Sequence, residues 1–133
     1  MTDQVPPERN GWRDESMSRK HREWGITCAA YDIDFLLLEV NGRVVVAVVE
    51  YKHERAQLQT PNCPQYQAIG SVATLALLPF FVVRYAHDHS WYKVRVMNEY
   101  ARKWLPEIMV VMTEDEYKGL MYRLRSRQRP DAL

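Results

Sequence analysis

An Asn-Gly pair at 41–42 stands between two apolar runs, AYDIDFLLLEV at 30–40 and VVVAVVEYK at 44–52. Asn-Gly supplies the positive φ of a tight hairpin turn, and both runs are rich in residues that suit a pleated surface. The spacing predicts two antiparallel strands. Residues 35–38 and 44–49 are apolar without alternation, which predicts strands covered on both faces and therefore helices on each side of the sheet.

The flanking sequence completes an α/β pattern. Residues 14–24, DESMSRKHREW, contain no Pro or Gly and stop at Gly25, which predicts a polar helix. After the polar stretch that follows Lys52 comes QYQAIGSVATLALL, helical in length and composition and closed by Pro79. FFVVRY at 80–85 reads as a buried strand, so strand, crossover helix and strand form a right-handed parallel unit. WYKVRVM at 91–97 alternates in polarity and is expected to return as an outer antiparallel strand. Asn98 can cap a short helix to Trp104, and IMVVM at 108–112 is a further strand or core segment. Thr113 and Glu116 form a capping box for a last helix with Tyr117, Leu120, Met121 and Leu124 on one face. The expected fold class is a mixed β-sheet, an antiparallel hairpin plus a parallel crossover strand, sandwiched by helices. A flexible arm at 1–13, one domain at 14–129 and a tail at 130–133 make up the expected organisation.

Composition narrows the function classes. With 133 residues, 47% hydrophobic and 26% charged, the chain suits one folded domain and not a disordered one. The apolar run 44–49 is too short to cross a bilayer, and an N-terminus bearing acids and prolines does not read as a signal peptide, so a cytoplasmic protein is expected. Cys28 and Cys63 cannot build a disulfide framework and have no zinc spacing. A net charge of +1 confines any surface for a polyanion to a local patch.

The chemistry gathers at the hairpin. Asp32 and Asp34 open its first strand, and Glu50 and Lys52 close its second. The tripeptide Glu-Tyr-Lys occurs at 50–52 and again at 116–118, which gives an internal control. In a strand, residues two apart share a face, so Glu50 and Lys52 can converge on one ligand; in the last helix Glu116 and Lys118 diverge. Register decides whether the aspartates join them. A plain two-residue turn pairs Val40 with Arg43 and sets Ile33 opposite Glu50, leaving both aspartates on the wrong face. A three-residue loop or a bulge brings Asp32 and Asp34 onto the face of Glu50 and Lys52. Such a cluster at the mouth of a buried sheet is costly unless it binds something, and a divalent cation such as Mg²⁺ suits hard carboxylate oxygens, with a lysine beside it to orient or deprotonate water.

These residues, Asp32-Ile33-Asp34 with Glu50-Tyr51-Lys52, and the order helix, hairpin, helix, strand across 14–85 resemble the PD-(D/E)xK nuclease superfamily and its restriction-endonuclease-like core. The resemblance implies Mg²⁺-dependent phosphodiester cleavage, with Mn²⁺ as an accepted substitute. It implies Asp34 or Asp32 and Glu50 as metal ligands, help from the Tyr51 carbonyl, and Lys52 as the residue that positions the attacking water. It also implies a glutamate from the first helix, for which Glu23 matches better than Glu15. No proline precedes either aspartate, since Tyr31 and Ile33 stand there. The Gln-x-x-x-Tyr element of the RecB-like branch is absent, although Gln65 and Gln67 begin the corresponding helix.

Two basic clusters supply candidate phosphate contacts: Arg19, Lys20 and Arg22 in the first helix, and Lys118, Arg123, Arg125, Arg127 and Arg129 through the last helix and tail. His87 and His89 fall in an expected exposed turn, and His53 is expected to make a local hydrogen bond. The expected activity is a nuclease with DNA ahead of RNA as substrate, acting as a homodimer or within a larger complex. The competing expectation is a non-catalytic nucleic-acid-binding or protein-interaction subunit that keeps the fold.

Overall fold

A computed structural model describes residues 15–25, 31, 33–57 and 59–127. The chain divides into two units, Met1–Ala30 and Tyr31–Leu133. The first unit contributes helix α1, Ser16–Trp24, whose end is marked by Gly25 at φ 77, with its N–H donating to the His21 carbonyl. Positive φ suits glycine, which explains why the helix stops there. The expected arm at 1–13 and tail at 130–133 lie outside the described residues.

The second unit is a five-stranded sheet with order β1-β2-β3-β4-β5. Its strands are β1 (Phe35–Leu38), β2 (Val45–His53), β3 (Phe80–Tyr85), β4 (Tyr92–Val96) and β5 (Met109–Met112). β2 and β3 run parallel and every other neighbouring pair is antiparallel. The crossover between the parallel strands is α2, Pro64–Leu75, with Pro64 at a position where its missing N–H costs nothing. The chain then closes with α3 (Glu99–Arg102) and α4 (Glu114–Ser126). No helix among the described residues is long and apolar enough to cross a membrane.

Alternation along the strands feeds two cores. Ala47, Val49, Phe81, Val83 and Val94 face α4, where Tyr117, Leu120 and Leu124 meet them. Val48 and Phe80 face α2 and meet Tyr66, Ile69 and Ala73. Helices thus cover both sides of the central strands, as the unbroken valine run of β2 requires. Burial of a side chain the size of Phe80 or Phe81, both fully enclosed, contributes roughly 1.5–3 kcal/mol each.

Several local expectations hold. Asn98 caps α3 by accepting from the Ala101 N–H, and Thr113 with Glu116 forms the complete capping box of α4. Three others are corrected. β1 is not covered on both faces: it is the edge of the sheet, and Phe35, Leu36 and Leu38 are exposed. β4 is not an outer strand, because β5 pairs beyond it. α2 ends at Leu75, before Pro79 acts, because Leu77 takes positive φ and the Leu78 N–H returns to the Ala73 carbonyl.

Candidate active site

The first two strands settle the register question by an unexpected route. The Asn41-Gly42 segment is not a two-residue turn, since the Glu39 N–H donates to the Val44 carbonyl and closes a wider loop around Gly42 at φ 76. That loop alone preserves the unproductive parity, with Leu38 opposite Val45. One step further along, Leu37 lies opposite Ala47, so Val46 is an extra residue in β2, a β-bulge. Val46 and Ala47, consecutive in sequence, both join the core that faces α4. Beyond the bulge Phe35 pairs with Val49, which sets Asp34 opposite Glu50 on the same face.

Direct contacts bear this out. The Asp34 N–H donates to Glu50 Oε1 at 2.8 Å, and the Tyr51 N–H donates to Asp34 Oδ2 at 3.3 Å. Glu50 is the one charged side chain among the described residues that is fully buried, and its Oε2 has no hydrogen-bond partner. Burial, first, and the neighbouring Asp34 charge push the Glu50 carboxyl above the usual carboxylate range, against the Asp34 N–H and the Lys52 charge, which pull it down. Among the described residues no group of three or more His, Cys, Asp or Glu side chains is gathered to hold a metal. The Asp34 and Glu50 pair fits a hard cation that takes one or two carboxylates and keeps several waters, and the open Oε2 is the atom such a cation would complete.

Lys52 follows Glu50 on the same face, with Nζ 6.0 Å from the centre of the Tyr66 ring. Tyr51, between them, sends its ring to the opposite face, where its hydroxyl lies 2.5 Å from that of Tyr117. The two Glu-Tyr-Lys copies are therefore linked through their central residues. In the second copy Glu116 is spent on the capping box and Lys118 lies 3.9 Å from Asp115, which leaves no convergent site there.

The remaining candidates are distributed as follows. Asp32 and Arg129 lie outside the described residues. Glu23 pairs with Lys20 at 3.5 Å on α1, and Glu15, just before the helix, pairs with Arg19 at 3.9 Å; all are exposed, as is Arg22, and that helix belongs to the first unit. Arg125 donates to the carbonyls of Leu38, Glu39 and Val40, and Arg127 pairs with Glu39 at 3.1 Å, so both are committed to the end of β1. Arg123 is half-buried. His53 Nδ1 accepts from the Arg55 N–H, the local contact expected of it. His87 pairs with Glu54 at 2.7 Å, which raises the imidazole and lowers the carboxyl relative to their ordinary values.

Sequence reasoning missed the cations beside Lys52. Arg84 stands opposite Lys52 on β3, Lys93 opposite Arg84 on β4, and Arg95 opposite Val82. Tyr66 reaches the same region from α2, and burial, with lesser repulsion from Cys63, Glu50 and Asp34, pushes its hydroxyl up to about 12. The signal was available: FFVVRY and WYKVRVM place Arg84, Lys93 and Arg95 at one parity once the strands are paired. Comparison with known proteins found no match, either among family models or among curated proteins and solved structures.

Proposed function

We propose that the chain is a Mg²⁺-dependent nuclease that hydrolyses phosphodiester bonds, with DNA as the first-choice substrate and the cytoplasm as its setting. The observation that carries this reading is the fully buried Glu50 carboxylate, with one oxygen unpartnered, held opposite Asp34 and two residues before Lys52. A carboxylate in that position is unfavourable in isolation and becomes reasonable as a ligand.

In this reading Asp34 and Glu50 hold the cation, with the Tyr51 carbonyl beside them, and the bound cation would supply charge to the phosphoryl oxygens and acidify water. The Asp34 N–H fixes Glu50 Oε1 and so leaves Oε2 as the atom directed at the ligand. Lys52 holds the attacking water, or the phosphate oxygen nearest it, in line with phosphorus. The water gives up a proton to solvent as its oxygen bonds to phosphorus, the P–O bond to the leaving sugar oxygen breaks, and the departing oxygen takes up a proton from solvent. Glu50 and Lys52 lie toward the carboxyl end of β2, beside the parallel β3, which is where open α/β sheets place their ligands.

A second reading, a non-catalytic nucleic-acid-binding subunit, draws support from the small number of carboxylates gathered at the site among the described residues. Incubation with linear, circular, single-stranded and branched DNA and with RNA, in Mg²⁺ or Mn²⁺, separates the two. Cleavage that Glu50→Ala abolishes is the expected result. Binding without cleavage of any substrate would favour the second reading.

A further inference from the structure

Lys52, Arg84, Lys93 and Arg95 line a cavity of about 320 Å³ together with Tyr66 and Val82. Four cations share it, and no Asp or Glu is among its described lining residues. The sheet register makes them neighbours: Lys52 faces Arg84 and Arg84 faces Lys93 across adjacent strands. Like charges directly opposite on one sheet face destabilise it, so this arrangement calls for a compensating anion. The partners present among the described residues leave Lys93 and Arg95 without an anion. Arg84 donates to the backbone carbonyls of Glu54 and Ala56, Lys52 lies against the Tyr66 ring, and Lys93 Nζ sits 5.9 Å from the centre of the Trp91 ring. The Arg95 guanidinium has no hydrogen-bond or ion-pair partner among the described residues, and none of the four cations makes a salt bridge there.

Size and lining narrow the anion. The cavity falls at the small end of small-molecule sites, too large for a lone chloride and adequate for a phosphate with part of a nucleoside. The Arg95 guanidinium presents a fork that matches a pair of phosphate oxygens, Arg84, whose Nη2 is held by carbonyls, adds its remaining donors, and two ammonium groups add charge that needs no fixed direction. Tyr66, buried with Lys52 over its ring, closes one wall, and Val82 stands opposite Glu50 in the parallel register, so the cavity adjoins the carboxylate pair.

We propose that this cavity binds a nucleotide through its phosphate, seated among Arg84, Lys93 and Arg95. The phosphate belongs either to a strand whose neighbouring phosphodiester lies at Asp34 and Glu50 or to a free nucleotide. The strand assignment rests on the nuclease reading above; the recognition of phosphate does not, because it needs no metal.

The test is calorimetric titration in EDTA with adenosine 5′-monophosphate, inorganic phosphate, adenosine, and a short single-stranded oligonucleotide. The protein is used as wild type, as the Lys93→Gln/Arg95→Gln double variant and as Glu50→Gln. Adenosine 5′-monophosphate should bind the wild type, adenosine should not, and the double variant should weaken binding by roughly tenfold or more through loss of two charge-assisted contacts. Glu50→Gln should retain binding, which separates failure of this site from failure of the catalytic reading. Displacement of the oligonucleotide by the monophosphate assigns the site to a strand; monophosphate binding without displacement assigns it to a free nucleotide. Equal affinity for adenosine and its monophosphate, no binding of either phosphate, or full affinity in the double variant would overturn the proposal. Should the double variant lose its cooperative melting transition, Lys93→Gln and the charge-conserving Arg95→Lys each carry the comparison, because loss of the guanidinium fork alone weakens a bidentate contact.

Discussion

Asp34 and Glu50 face one another across β1 and β2, and the bond between them runs from the backbone N–H of the first to the carboxylate of the second, at 2.8 Å. The side chain of Glu50 thus takes the place that a backbone carbonyl would occupy in a regular ladder. Its own second oxygen is left buried and open. A buried carboxylate with an unpartnered oxygen lowers stability, and that cost governs the first expectation.

Glu50→Gln is expected to raise the thermal stability of the metal-free protein at neutral pH. The folded carboxyl is held above its ordinary value, so its favourable contribution is full below about pH 4.3, the usual value for Glu, and is lost as pH rises through the raised folded value. The advantage of Gln should therefore vanish in acid and grow toward neutrality. Saturating Mn²⁺ should stabilise the wild type, by about 2.7 kcal/mol at one hundred times Kd, and leave Glu50→Gln unmoved. Melting curves from pH 4 to 8, with and without metal, check both, with Glu116→Gln as the control for the second tripeptide.

Lys52→Ala should lower the cleavage rate by roughly 10²–10⁴-fold, the range for a positioned proton-transfer or water-holding group. Nucleic-acid affinity should fall far less, with the slope of log affinity against log salt shrinking by roughly 0.7–0.9 for the one charge removed. Single-turnover cleavage beside a salt titration in Ca²⁺ tells the two apart. Full cleavage by this variant would rule out the assigned role.

For the last helix the expectation concerns stability. Arg125 ties α4 to the carbonyls at the end of β1, and hydrogen bonds from a charged donor contribute about 1.5–3 kcal/mol. Arg125→Gln should lower the unfolding free energy by about 1–2 kcal/mol in denaturant titration while the salt slope of nucleic-acid binding stays unchanged. A shrinking slope with unaltered stability would return Arg125 to the phosphate-binding surface.

The hydroxyls of Tyr51 and Tyr117 are also expected to be coupled. Each of Tyr51→Phe and Tyr117→Phe should cost about 1 kcal/mol, and the double variant less than their sum by about 0.5 kcal/mol or more, because the two substitutions remove one shared bond. Strict additivity would show that each hydroxyl is satisfied elsewhere.

Much of the fold was legible because local chemistry and tertiary placement agree. The Thr113 and Glu116 box, the Asn98 cap and the Gly25 stop depend on the nearest few residues, and all three stand where the sequence puts them. Phe80–Tyr85 emerges as a strand at its expected bounds because β-branched and aromatic residues there also meet helices on both sides. The failures involve distant partners. Nothing in Phe35–Leu38 says that the strand will be an edge, and nothing in 91–97 says that a later segment will pair outside it. The site was half legible for the same reason: Glu50 and Lys52 share a face by local parity, whereas Asp34 joins them only through the pairing of two strands. The cations of β3 and β4 needed three strands to be aligned before they could be seen together.

The extra residue at Val46 carries a consequence for how this hairpin tolerates insertions and deletions. Length changes in the loop around Gly42 can be absorbed before the strands begin to pair, since the loop ends at the Glu39 to Val44 contact. The bulge offsets the parity of that loop: an even ladder of unchanged length would pair Leu37 with Val46, set Ile33 opposite Glu50, and turn Asp34 to the other face without altering a single side chain of the site, whereas loss of Val46 itself would still pair Leu37 with Ala47 and keep Asp34 opposite Glu50. The two segments are a few residues apart, yet one is a free spacer and the other corrects the register that the spacer sets. Chains that share this hairpin should vary in length in the first, and in the second should either keep the bulge or lose its extra residue.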